Sequence, residues 1–142
     1  MAVTSEATTL WTGDLASGSG RTTLDSSGGV KDLPMSWAAR INGQAGKSNP
    51  EELIGAAHSA CYSMQFAHLL AENGTPPDDI QVTAAVTFEP GAGITGSHLL
   101  VSAKVPGISE ADFERIADEA KATCPVSLAL AGTSITLEAS LA

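Results

Sequence analysis

The stretch Asn49–Ala71, NPEELIGAAHSACYSMQFAHLLA, limits what this chain can fold into more than any other part of it. Its only acids are Glu51 and Glu52, and it holds no Lys or Arg. Apolar and small residues, from Leu53 and Ile54 through Ala60, Met64 and Phe66 to Leu70, occupy nearly every face of a 3.6-residue repeat. A helix that is apolar most of the way round has to be buried, in its own chain or against a partner. Its start is well marked. Asn49 can cap, Pro50 suits the first helical position, and Glu52 at the third makes a capping-box-like pair while favouring the positive helix end. Asn73-Gly74 followed by Pro76-Pro77 ends it. Cys61 stands in the middle of this helix, and Cys124 is the only other cysteine.

The remainder of the sequence places that helix in an α+β setting. Thr8–Asp14 and Gly20–Asp25 read as short Thr-rich strands around the turn cluster ASGSG, and Met35–Ile41 alternates well enough for a third strand. Gly43–Ser48 is a polar loop into the helix. Ile80–Phe88 and Thr95–Val105 read as two more strands joined by the Gly-rich segment PGAGITG. No strand–Gly–helix order surrounds these glycines, so they are turns and not a phosphate-binding loop. Ser109 caps a second helix, SEADFERIADEAKA, whose Phe113, Ile116, Ala117 and Ala120 recur at helical spacing and make it amphipathic. Pro125 interrupts it, Val126–Leu130 resumes as a short helix with Cys124 at its N-cap, and Thr133–Leu141 closes the chain as an alternating strand. The order β-β-β-α-β-β-α-β implies mostly antiparallel sheets.

At 142 residues the expectation is one domain, 1–142, large enough for a real core. Seven Lys and Arg against sixteen acids leave a net charge of −9, which argues against nucleic acid as a partner. The N-terminus MAVTSEATT has neither the basic nor the apolar region of a signal peptide. His58, Gln65 and His68 punctuate the one candidate for a membrane span. A cytoplasmic location follows as the expectation, and there two cysteines are kept reduced and are inert, metal-binding or redox-catalytic.

Each reading of the cysteines has a plainer rival. A free Cys often packs as a small hydrophobe. Against that, a thiol at a helix N-cap before Pro sits where backbone N–H groups favour the thiolate, and an attacking plus a resolving thiol is the minimal equipment for peroxide reduction. His58 and Cys61, three apart on one helical face, could begin a metal site with His68 or His98, though no Cys-x-x-Cys pair supports it. A Cys61–His58 nucleophile pair is also conceivable, without an identifiable orienting group. Arg21 and Arg40 are two of three arginines and have the ordinary reading of solvated strand charges.

These residues resemble the OsmC/Ohr group of thiol-dependent hydroperoxide reductases. The resemblance covers most of the chain and is densest in NPEELIGAAHSACYSM (49–64) and AKATCPVSLAL (120–130), with WTGDL near the N-terminus and Trp37 and Arg40 between. His58 ahead of Cys61, and an arginine just ahead of the loop, look more like the OsmC branch. The resemblance implies an OsmC-like fold, with sheets packed around the long central helix in an intertwined homodimer. It implies Cys61 as peroxidatic thiol, Cys124 as resolving thiol, Arg40 as the arginine beside Cys61 and Glu51 as the carboxylate that orients it. Arg21 lies near where the Ohr branch keeps its arginine. The implied activity is reduction of organic hydroperoxides to alcohols, with an external, dihydrolipoyl-type dithiol as reductant and no bound cofactor; the alternative is a non-catalytic binding domain with structural cysteines. Glu51 and Cys61 are ten positions apart, about 15 Å along a regular helix, so either the first turns are irregular or Glu51 serves the Cys61 of a second chain.

Overall fold

The computed structural model describes residues 1–142 and divides into two compact units, Met1–Leu53 and Ile54–Ala142. The first unit holds an antiparallel sheet of β1 (Ala7–Thr12), β2 (Ser19–Leu24) and β3 (Leu33–Met35), in that order. Thr9 and Thr22 are register partners, and their hydroxyls meet at 2.7 Å. β3 ends at Met35, and Trp37–Asn42 is a helix, α1. This corrects the strand expected over Met35–Ile41. Ser36 is the physical reason: its Oγ accepts from Ala39 N at 3.1 Å, a true N-cap, and Ala38, Ala39 and Arg40 are good helix formers. Gly43, at φ 70, closes α1 by donating its N–H to Ala39 O, a left-handed position that suits glycine.

The long helix α2 runs Pro50–Glu72, giving its first turn to the first unit and the rest to the second. Asn49 Oδ1 accepts from Glu52 N at 2.8 Å, as expected of the cap. The Glu52 carboxylate accepts instead from Ser48 Oγ at 2.9 Å, so only one half of the capping box forms. Burial follows a single stripe: Glu51, Gly55, His58, Tyr62, Phe66 and Leu70. The expectation of burial on all sides is met along this stripe only, and Met64 is 72% exposed in the single chain.

In the second unit, β4 (Asp79–Glu89), β5 (Gly93–Lys104) and β6 (Ser134–Leu141) form a sheet in that order, with β4–β5 antiparallel and β5–β6 parallel. A parallel pair cannot be joined by a hairpin. The crossover is α3 (Glu110–Thr123), capped by Ser109 as expected, followed by α4 (Pro125–Ala129). The core lies between α2, α3 and β5. Tyr62 and Phe66, and Phe66 and Phe113, have ring centroids 5.5 Å apart, and Leu99, Val101, Ile116 and Ala120 fill around them. Burying each large apolar side chain is worth roughly 1.5–3 kcal/mol, so this cluster holds the unit together. Tyr62 satisfies its hydroxyl on Ala117 O at 3.0 Å. Gly55 permits a close approach of α2 to β4, since a Cβ there would lie 2.9 Å from Ala84 O. No helix is long and apolar enough to cross a membrane.

Candidate active site

The second unit brings the two thiols together. Cys61 precedes Tyr62 of the buried stripe, which leaves it half-buried beside that stripe in the middle of α2. Cys124 is fully buried at the junction of α3 and α4: its N–H closes α3 on Ala120 O, and Pro125 then opens α4. The Cys124 thiol and the Val126 backbone N–H lie close enough to Cys61 to act on its charge. Burial pushes the Cys61 thiol up from its ordinary pKa, the hydrogen bond to Cys124 adds to this, and the Val126 N–H pulls the other way without overcoming them. Cys124 is the N-cap residue of α4, as expected, but its side chain accepts no cap hydrogen bond, and the Val126 amide of the short helix acts on Cys61.

His58 is wholly buried three positions before Cys61. Its Nδ1 meets Ser97 Oγ on β5 at 2.7 Å, and its Nε2 meets Ser127 Oγ on α4 at 2.8 Å. Burial holds its pKa below the ordinary histidine value, so the ring is neutral. With both nitrogens engaged by serines, His58 is neither a base for Cys61 nor a metal ligand. His68 pairs with Glu72 at 3.6 Å and His98 Nδ1 with Thr136 Oγ1 at 2.6 Å, both on exposed surface. No three His, Cys, Asp or Glu residues form a group that could hold a metal ion.

The first unit brings together the other two expected residues. Arg40, in the last turn of α1, faces the near-buried Glu51 of α2: Nε lies 3.1 and 3.3 Å from the two carboxylate oxygens and Nη2 lies 2.8 Å from Oε1. This fork-on-carboxylate geometry fixes the guanidinium plane. Arg21 takes no part in it. Its Nη1 reaches the Asp32 carbonyl at 3.5 Å on the exposed side of β2. Arg40 also stands on the wall of a largely apolar cavity of about 310 Å³, whose lining includes Trp11, Leu15, Met35, Trp37 and Leu53. The sequence reading did not anticipate this cavity, although the chain's two tryptophans were a usable signal. It also missed Ser97 and Ser127, which no spacing rule singles out.

A half-buried thiol on a long helix beside a buried thiol at a helix start, in helices packed on a mixed sheet, defines an α+β protein with a close pair of free cysteines. More particularly, the chain belongs to the OsmC-like protein family, whose model matches residues 43–140. It is similar to peroxiredoxin OsmC of Escherichia coli (strain K12), 42% identical over 123 residues, covering 84% of this chain and 85% of that protein. It is also similar to the organic hydroperoxide resistance protein OhrA of Bacillus subtilis (strain 168), 29% identical over 75% of this chain and 77% of that one. Among solved structures, an organic hydroperoxide resistance protein OsmC from Legionella pneumophila superposes with a TM-score of 0.70 at 26% identity, covering 99% of this chain and 98% of that one.

Proposed function

We propose that the protein is a cysteine-based peroxidase that reduces organic hydroperoxides to alcohols. The observation that carries this reading is the Cys61–Cys124 contact, with one thiol reachable and the other buried behind it. The names of the relatives, a peroxiredoxin and two organic hydroperoxide resistance proteins, support it.

The Cys61 thiolate attacks the terminal peroxide oxygen, the O–O bond breaks, and the alkoxide leaves as alcohol after taking a proton. Cys61 is then a sulfenic acid. The Cys124 thiol condenses with it, releasing water and forming the disulfide, which an external dithiol of dihydrolipoyl type reduces by exchange. Because burial raises the Cys61 thiol, the reaction needs a cation at the sulfur. Arg40, positioned by Glu51, supplies it and stabilises the developing negative charge on oxygen. The apolar cavity beside Arg40 accepts the organic group of the peroxide. The chemistry requires no bound cofactor.

Since α2 is unbroken from Pro50 to Glu72, about 15 Å of helix axis separates Glu51 from Cys61. The reading is therefore a homodimer in which the Arg40–Glu51 pair of one chain serves the Cys61 of the other. The open face of α2 around Met64 supports a partner helix there. Residues 1–142 act as one functional domain, in the cytoplasm, where dithiol reductants operate.

The test is mass spectrometry after one equivalent of an alkyl hydroperoxide. An intramolecular Cys61–Cys124 link is expected within seconds. Two thiols that survive the treatment would leave a binding domain with structural cysteines as the better reading.

A further inference from the structure

α4 has five residues, too short a helix to hold itself together. Its only buried residue is Ser127, a polar one, while Leu128 next to it is 62% exposed and Val126 is only partly covered by the core. That one buried residue is tied by its side chain to α2, Ser127 Oγ meeting His58 Nε2 at 2.8 Å. The other ring nitrogen, Nδ1, meets Ser97 Oγ on β5 at 2.7 Å. Ser97, His58 and Ser127 are 2%, 0% and 5% exposed, so water does not compete for these bonds. The same short helix carries the Val126 N–H that acts on Cys61, and it begins directly after Cys124.

We infer that His58, acting through Ser127, is a positioning residue: it holds α4 so that Cys124 and the Val126 N–H face Cys61, and thereby sets how stable the Cys61–Cys124 disulfide is. The inference rests on the peroxidase reading for its use in turnover, but the equilibrium concerned involves only the two thiols, their disulfide and an external dithiol. In the oxidised form the sulfurs are about 2.05 Å apart, so they must draw closer than hydrogen-bonded thiols. A hydrogen bond at the end of a ring can lengthen or turn to follow that movement. An apolar plug filling the same socket would have to be unpacked.

The experiment equilibrates the full chain in dithiothreitol buffers of defined ratio and measures the Cys61–Cys124 disulfide by alkylation and mass spectrometry. Ser127→Ala leaves α4 without its anchor, and the equilibrium constant for the disulfide should fall about tenfold, a rise in potential of about 30 mV. Ser97→Ala also removes one hydroxyl from the ring but leaves the anchor of α4, and should stay within about twofold of wild type. His58→Gln keeps an amide where Nε2 lies and should recover most of the wild-type value, whereas His58→Leu should behave like Ser127→Ala. A Ser127→Ala chain within about twofold of wild type, or a Ser97→Ala effect as large as that of Ser127→Ala, overturns the inference and makes the ring a core filler. A wild-type chain that forms no Cys61–Cys124 link overturns the peroxidase reading, and the inference with it.

Discussion

Cys61 carries opposing influences: burial and the Cys124 thiol disfavour its anion, and the Val126 N–H favours it. Cys61→Ser should abolish turnover, because a serine hydroxyl gives no anion at neutral pH. Cys124→Ser should consume about one equivalent of peroxide and then over-oxidise to the sulfinic acid, seen as a mass gain at Cys61. Equal loss of the first turnover in both mutants would mean that the assigned order of attack is wrong. Alkylation reports the thiolate directly. Arg40→Ala should move the pH midpoint of Cys61 alkylation upward, and Arg21→Ala should leave it unchanged, since Arg21 is engaged with Asp32 and not with Glu51. His58 has its own pH consequence. Its folded-state pKa is depressed, so below the unfolded value of about 6.5 the unfolded chain binds the extra proton. Stability should therefore be lost as pH falls through about 6.5, and His58→Gln should flatten that part of the urea-midpoint profile.

At the scale of elements, sequence patterns served long periodic segments and failed where a few residues decided. Asn49–Ala71 was legible because its composition leaves no alternative to a helix, and α3 because Ser109 and the Phe113–Ile116–Ala120 spacing agree. Trp37–Asn42 was misread because a six-residue helix is too short to show a period, and alternation in Met35–Ile41 imitated a strand. The informative signals were Ser36 and Gly43, its two caps. The parallel setting of β6 was not legible either, since alternation along a strand carries no information about the direction of its neighbour. Gly55 lets two such effects be weighed. Helix propensity alone predicts that Gly55→Ala stabilises α2 by about 1 kcal/mol. The added Cβ would lie 2.9 Å from the backbone oxygen of Ala84, which cannot swing aside, and overpacking of this kind costs about 1–3 kcal/mol. The expected result is a lower urea midpoint. A higher one would mean that α2 and β4 separate at little cost.

For the whole molecule, the motifs made both side-chain pairs legible, yet not the supports around them. Cys61–Cys124 and Arg40–Glu51 each meet, but the serines on His58 come from a strand and a short helix far apart in the chain, and only folding brings them together. Assembly can be tested by refolding inactive Cys61→Ser and Glu51→Ala chains together. If Glu51 serves a partner's Cys61, each mixed dimer has one intact site, and activity should return to about a quarter of wild type. No recovery, with mixed dimers shown to form, would mean that the pair works within its own chain. A last consequence follows from the parallel pairing of β6. Gly96 on β5 waits for Ser134, and everything between them must be synthesised first. On a ribosome, where the chain emerges from its N-terminus, both cysteines are out before the sheet behind them is complete, and the open edge of β5 is a template for unwanted strands. A chain stopped at Thr133 should therefore aggregate unless a β6 peptide is added back. If the shortened chain stays dispersed and folded, the final strand is dispensable and its timing is of no account.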